Sequence, residues 1–246
     1  MSRLHRPKAG FCIRLLVTVV YPVAGLLFRI RWRHLDRIPP PSDGGVMIAA
    51  NHTSHIDTFL VARICWQAGR IPRFLVKAGL FHIPLLGRLV RGAGQIPVYR
   101  GTPDASDSLQ DARDALDGGE AVVIYPEGTV TADPAQWPMQ GRTGIARLVL
   151  ACPDIPVVPI GQWGAQHRRH LPVRGRLGRR TSLASVGHPL DLSRYHGKEP
   201  AAEVLREITD VIMDAVRAEV ADLRGEAAPV DFFIPTRKFV DRRPSR

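Results

Sequence analysis

Cysteine is scarce. Cys12, Cys65 and Cys152 are the only three in 246 residues, far apart and without a CxxC pair. That spacing argues against a disulfide framework or a thiolate zinc site and fits small buried hydrophobes in a reducing compartment. HExxH and paired Cys/His spacings are missing too, so no metal and no resident cofactor is expected. There is no G-x-S-x-G elbow and no cysteine beside a histidine pattern, which leaves a covalent intermediate without an evident nucleophile. Aromatic residues make up 7% of the chain, and the arginine-rich segment "HRRHLPVRGRLGRR" (167–180) has none interleaved. With no helix-turn-helix, zinc-finger or RNA-recognition pattern either, a nucleic-acid partner is not expected. Long apolar runs are also lacking. In "FCIRLLVTVVYPVAGLLFRI" (11–30), Arg14 and Pro22 interrupt the segment, and the apolar stretch 15–28 falls short of the ~20 residues a spanning helix needs. No small-x-small cleavage site follows it.

What is present is a globular composition, 45% hydrophobic and 23% charged, with a net charge of +11. The length suits one large domain. The positive charge asks for an anionic partner, a membrane surface or a phosphorylated substrate. Basic clusters at residues 3–8 and at Arg29, Arg31, Arg33 and Arg37 flank the apolar segment. Residues 11–30 are therefore read as an interfacial helix or helical hairpin in the membrane surface, with its arginines at the headgroups. An ordinary buried N-terminal helix is the other reading.

Three parts are expected: a basic, apolar, membrane-associating segment (1–38), a main domain (39–225) and a basic tail (226–246). "PPPSDGG" (39–45) is the separating loop. Strands are expected at 46–50, from 73, at 95–100, 121–128 and 155–163. Helices are expected at 54–68, 84–94, 104–117, 142–151 and 202–223. The alternation predicts an α/β fold whose sheet is covered by helices. Pro97, Pro126 and Pro159 in the strands argue for mixed pairing rather than a doubly wound sheet. The tail, with its "DFFIP" patch, is expected to pack loosely.

"AANHTSHIDTFL" (49–60) poses a choice. On one continuous helix His52 and Asp57 would face away from each other. They meet only if His52 lies on the preceding loop and the helix begins between them. Ser54 can cap such a helix, and Ser54-x-x-Asp57 has capping-box spacing. Asp57 is then either only a cap, or also the carboxylate that fixes the tautomer of a general-base histidine acting on a hydroxyl. His55 is nearer to Asp57 in sequence. "YPEGT" (125–129) ends a buried strand where open α/β sheets place ligands. "GQIPVYRG" (94–101) ends a strand with Arg100, suited to forked phosphate recognition. Glu127 and Arg100 could equally pair with each other or lie at the surface.

Taken together, "NHTSHID" (51–57), "GQIPVYR" (94–100), "YPEGT" (125–129) and "VVPI" (157–160) resemble, in order and spacing, the motifs of the glycerolipid acyltransferases. These are the lysophosphatidic acid acyltransferases and their glycerol-3-phosphate relatives. The resemblance covers about residues 46–165. It implies a mixed, largely parallel central sheet flanked by helices, with His52 as general base and Asp57 as its orienting partner. Arg100 and the Glu127–Gly128–Thr129 turn would hold the glycerol phosphate, and His55 falls on a variable position. It further implies acyl transfer from acyl-CoA or acyl-carrier protein to lysophosphatidic acid, at the cytoplasmic face of an anionic phospholipid membrane. One position departs from the pattern: Val130 stands where the family carries arginine after E-G-T. Arg142 or Lys77 is the candidate replacement.

Overall fold

Short apolar runs dictate the centre of the molecule. Val46–Ala50 (β2), Ala121–Ile124 (β5) and Val157–Trp163 (β6) are buried on both faces, as continuous runs in a parallel sheet should be. In the computed structural model they sit side by side in a seven-stranded sheet. The other strands are Phe28–Arg33 (β1), Pro72–Lys77 (β3), Ile96–Val98 (β4) and Arg180–Val186 (β7), and the order is β1-β7-β6-β2-β5-β3-β4. The structure describes residues 10–15, 17, 18, 22, 25, 28–54, 56–99, 105–165 and 180–235.

Strands β6, β2, β5, β3 and β4 run parallel, β7 is antiparallel to β6, and β1 is parallel to β7. The mixed, largely parallel sheet is the expected one. Pro159 is tolerated in central β6 because its carbonyl accepts from Gly187 N–H, so its own nitrogen faces β7 just beyond the end of that pairing. Pro97 lies in edge strand β4.

Alternation within the strands feeds two cores. Met47, Ala49, Val122 and Ile124 face helices Ala105–Asp117 (α4), Gly144–Ala151 (α5) and Ala202–Arg224 (α6). Val46, Ile48, Ala50 and Val123 face helix Asp57–Gln67 (α2) through Val61, Ile64 and Cys65. Helix α6 buries Leu205, Ile208, Ile212, Met213, Val216 and Val220 at helical spacing and stops at Gly225 in the left-handed region. Two short helices complete the set, Phe11–Leu15 (α1) and Leu86–Gly92 (α3).

Two expectations are revised. The arginines Arg29, Arg31 and Arg33 lie on β1, and Arg33 pairs with Asp222 at 2.9 Å, so the sheet reaches back past residue 38. Among the described residues no helix is long and apolar enough to cross a membrane; most of 16–27, the middle of the segment expected to lie in the membrane surface, is outside the described residues. The first stretch of the tail is tied down rather than loose. Phe233 carbonyl accepts from Gln140 N–H, Arg217 stacks on Phe232 at 4.1 Å and donates to Val230 carbonyl. The clusters at 3–8 and 167–179 and residues 236–246 lie outside the described residues.

Candidate active site

Adjacent strands β2 and β5 send their following helices to opposite faces of the sheet, α2 to one and α5 to the other. In open α/β sheets the loops after such strands diverge to form the ligand-binding crevice. His52 follows β2 and Glu127 follows β5, so both candidate segments open onto it.

His52 is held by its own main chain. His52 N–H donates to Glu127 Oε1 at 2.8 Å, and His52 carbonyl accepts from Thr131 N–H at 2.7 Å. The imidazole stacks on Tyr125 with centroids 4.4 Å apart and planes at 23°. Its Nδ1 is 3.4 Å from Asp57 Oδ2, and the side chains are 13% and 0% exposed. That separation exceeds an ordinary hydrogen bond; contacts of this kind commonly run long in unliganded sites and tighten around substrate. Asp57 Oδ2 also accepts from Thr53 N–H at 2.5 Å, Ser54 N–H at 2.7 Å and Thr53 Oγ1 at 3.2 Å. These three donors fix the direction of the carboxylate.

Helix α2 starts at Asp57, three residues later than expected, with Ile56 before it and without a side-chain cap. Only the return half of the capping box forms, from Ser54 N–H to Asp57; Asp57 N–H bonds the Ser54 carbonyl instead, at 3.0 Å. Aspartate is one methylene shorter than glutamate, so it reaches back from the first turn only when the chain folds a tight turn at 54–57.

Glu127 is 3% exposed. Its second oxygen accepts from Met139 N–H at 2.9 Å, so both oxygens are taken by main-chain donors and the carboxyl faces protein. Burial pushes its pKa up to about 8, against the lowering effect of those two bonds. Gly128 closes the turn, donating to Tyr125 carbonyl at 2.9 Å with φ +72°, a conformation that favours glycine. Thr129 and Val130 follow, half-buried. Arg142 has an exposed side chain, and its N–H donates to Pro126 carbonyl at 2.8 Å, which fastens it to the Glu127 turn. Lys77 is exposed at the end of β3, the strand next to β5, and so belongs to the same edge. Arg100 and His55 lie outside the described residues; Tyr99 closes the described part of the β4 segment.

The sequence reading assigned no role to Asn51 and Gln162. Asn51 Oδ1 accepts from Gln162 N–H at 2.7 Å, its Nδ2 donates to Gln162 carbonyl, and Gln162 Nε2 donates to Asn51 carbonyl. The pair extends the β2–β6 ladder with side chains and sets where the His52 loop leaves the sheet. The only signal was a polar residue directly after the buried run of β2. Tyr125 was also missed; its hydroxyl is buried beside Thr58 and Gln162, and burial holds its pKa well above the usual phenol value.

This arrangement can supply a general base with an oriented tautomer. An activated thiol is not part of it: burial pushes Cys65 up to about 12 and also raises Cys152. Among the described residues no group of three or more His, Cys, Asp or Glu side chains could hold a metal ion.

The family model for acyltransferases matches residues 29–163, more than half of the chain, and the protein belongs to that family. It is similar to a chloroplastic 1-acyl-sn-glycerol-3-phosphate acyltransferase of Brassica napus, 29% identical over 66% of this chain and 44% of the relative. The same named activity from Arabidopsis thaliana, also chloroplastic, is 29% identical over 82% of this chain and 50% of the relative. The chain thus spans about half the length of these relatives. The crystal structure of the 1-acyl-sn-glycerophosphate acyltransferase of Thermotoga maritima shares the fold, with a TM-score of 0.62 at 20% identity, covering 88% of this chain and 81% of that one.

Proposed function

We propose that the protein transfers an acyl group from acyl-CoA or acyl-carrier protein to the sn-2 hydroxyl of 1-acyl-sn-glycerol 3-phosphate, giving phosphatidic acid. The observation that carries this reading is the His52–Asp57 pair in the crevice between β2 and β5. With Nδ1 turned to Asp57, Nε2 is the basic nitrogen. It takes the proton from the acceptor hydroxyl as the oxygen attacks the thioester carbonyl. The tetrahedral intermediate then collapses, the C–S bond breaks and the thiolate leaves. Asp57 holds the tautomer and stabilises the imidazolium. Glu127 is a positioning residue, because it faces the His52 main chain rather than the crevice. Positioning and electrostatics supply most of the acceleration. The phosphate would be met by Arg100, the Gly128–Thr129 turn, Arg142 and Lys77. No metal or cofactor takes part, and both amphiphilic substrates are drawn from an anionic bilayer at its cytoplasmic face.

One observation favours a related reading, transfer to glycerol 3-phosphate or another lipid alcohol: Val130 withdraws a cation from the turn that would meet the phosphate.

The test is release of free thiol from acyl-CoA or acyl-carrier protein that depends on an added acceptor. Lysophosphatidic acid should support it, and His52→Ala should abolish it with the circular dichroism spectrum intact. Full turnover in that variant would exclude His52 as the base. Thiol release without any acceptor would point to a hydrolase.

A further inference from the structure

Between Asp57 and Asp104 the chain has no acidic residue and seven lysines and arginines. Arg70 and Arg73 are committed to internal partners, four main-chain carbonyls for the first and Glu120 with Ala93 carbonyl for the second. Lys77, His82 and Arg88 are exposed. Between them the chain makes a tight turn with an apolar tip. Leu86 N–H donates to Pro84 carbonyl at 2.7 Å, closing a γ-turn around Leu85 at φ 63°, ψ −55°. This backbone conformation is rare and strained for a side-chain-bearing residue. The fold keeps a leucine there and leaves it 77% exposed, with Leu80, Ile83 and Leu86 also exposed beside it.

The turn is braced from behind. Gly87 N–H donates to Ile83 carbonyl at 2.7 Å, and a Cβ on Gly87 would come within 2.1 Å of Phe81 carbonyl oxygen. Arg91 Nη1 donates to that same oxygen at 2.6 Å, while the Phe81 side chain is buried. The turn also lies on the edge that carries His52: it follows β3, whose end adjoins β5, and α3 then leads back to the start of β4.

We propose that the Ile83–Leu86 turn is a membrane wedge, in which Leu85 and its apolar neighbours enter an anionic phospholipid surface while Lys77, His82 and Arg88 meet its headgroups. The charge balance selects this occupant. A second copy of the chain would bring basic side chains against basic side chains, whereas an anionic bilayer offers apolar depth with a negative rim. The purpose of the wedge rests on the acyl-transfer reading, since it sets the mouth of the His52 crevice against the layer that holds the substrates.

The test is sedimentation of the full chain with vesicles of phosphatidylcholine and phosphatidylglycerol, and with phosphatidylcholine alone. Wild type should partition onto the mixed vesicles and less onto the neutral ones. Leu85→Gly suits the positive φ, so it should keep or raise the melting temperature while lowering the partition coefficient about tenfold, the loss of one largely buried leucine side chain. Equal vesicle binding by wild type and Leu85→Gly would overturn the proposal, by assigning attachment to another segment. A lowered melting temperature in Leu85→Gly, or a wild-type dimer that the substitution dissociates, would overturn it by giving Leu85 a protein contact instead. Sedimentation does not use turnover, so failure of the acyl-transfer reading would not change either result.

Discussion

Replacing Glu127 by glutamine tests how the His52 loop is held. Glu127 is buried, and its pKa is pushed up from 4.5 to about 8, first by loss of water. A carboxyl whose folded value lies above its unfolded value holds a proton that the unfolded chain has already released. Between pH 4.5 and about 8 the folded state therefore binds more protons, and stability falls as pH rises. The slope is about 1.4 kcal/mol per pH unit, on the order of 5 kcal/mol over the window. Glutamine does not titrate, so the variant loses this slope. It also keeps one acceptor only, turning an amide N–H against the main-chain N–H of His52 or Met139, at a cost of about 1–3 kcal/mol. Wild type should accordingly be the more stable protein at pH 5, and the variant should match or exceed it by pH 8. Guanidinium denaturation of both proteins at pH 5, 6, 7 and 8 measures the difference, in which all other titrating groups cancel. Parallel stability curves would refute the reasoning, because Glu127 would then have the same protonation in both states.

Asn51→Ala removes the two side-chain hydrogen bonds to the Gln162 main chain at the end of β2 and should lower stability by about 2–4 kcal/mol, read as a fall in melting temperature. Asp57→Asn leaves an acceptor for the Thr53 and Ser54 N–H groups but no charge to fix the imidazole tautomer. Its kcat should fall by about 10²–10⁴ with little change in KM, and an undiminished kcat would remove Asp57 from the mechanism. Arg142→Ala and Arg100→Ala should each raise the KM for lysophosphatidic acid, by about tenfold for a lost phosphate contact, without changing the KM for the thioester. If only one of them does, that residue takes the part that Val130 cannot.

Much of the sheet was legible because its strands are short apolar runs bounded by prolines and glycines, and "VMIAA" coincides with β2 residue for residue. Strand order was not legible. Nothing in the local pattern of "AVVI" says that β5 inserts between β2 and β3, since that choice is made by which face each following helix can bury. The N-terminal segment misled for a related reason. "FRIRWR" alternates arginine with apolar residues, which reads as a basic rim from composition and as an edge strand once β7 pairs with it. At the site, His52 and Asp57 could be picked out by spacing. The bonds that hold them could not, because His52 is gripped at its own main-chain N–H and carbonyl, by Glu127 Oε1 and Thr131 N–H, and Met139 N–H in turn holds Glu127; main-chain groups of this kind belong to any residue.

That dependence on main-chain groups bears on the choice first posed by Asp57, between helix cap and catalytic partner. A cap proper would accept from N–H groups inside the helix, two or three residues further on. Asp57 instead accepts from Thr53 and Ser54, on the loop that precedes it. Its carboxylate thus pins the segment carrying His52 and, from the same oxygen, faces the imidazole at 3.4 Å. The backbone bonds fix where that oxygen lies before any substrate arrives, so little reorganisation is left for the reaction itself. A longer carboxylate at this position could reach the loop from further along a helix, but it would approach Nδ1 from a different place. The shortness of aspartate is what puts one oxygen in range of both the loop and the ring.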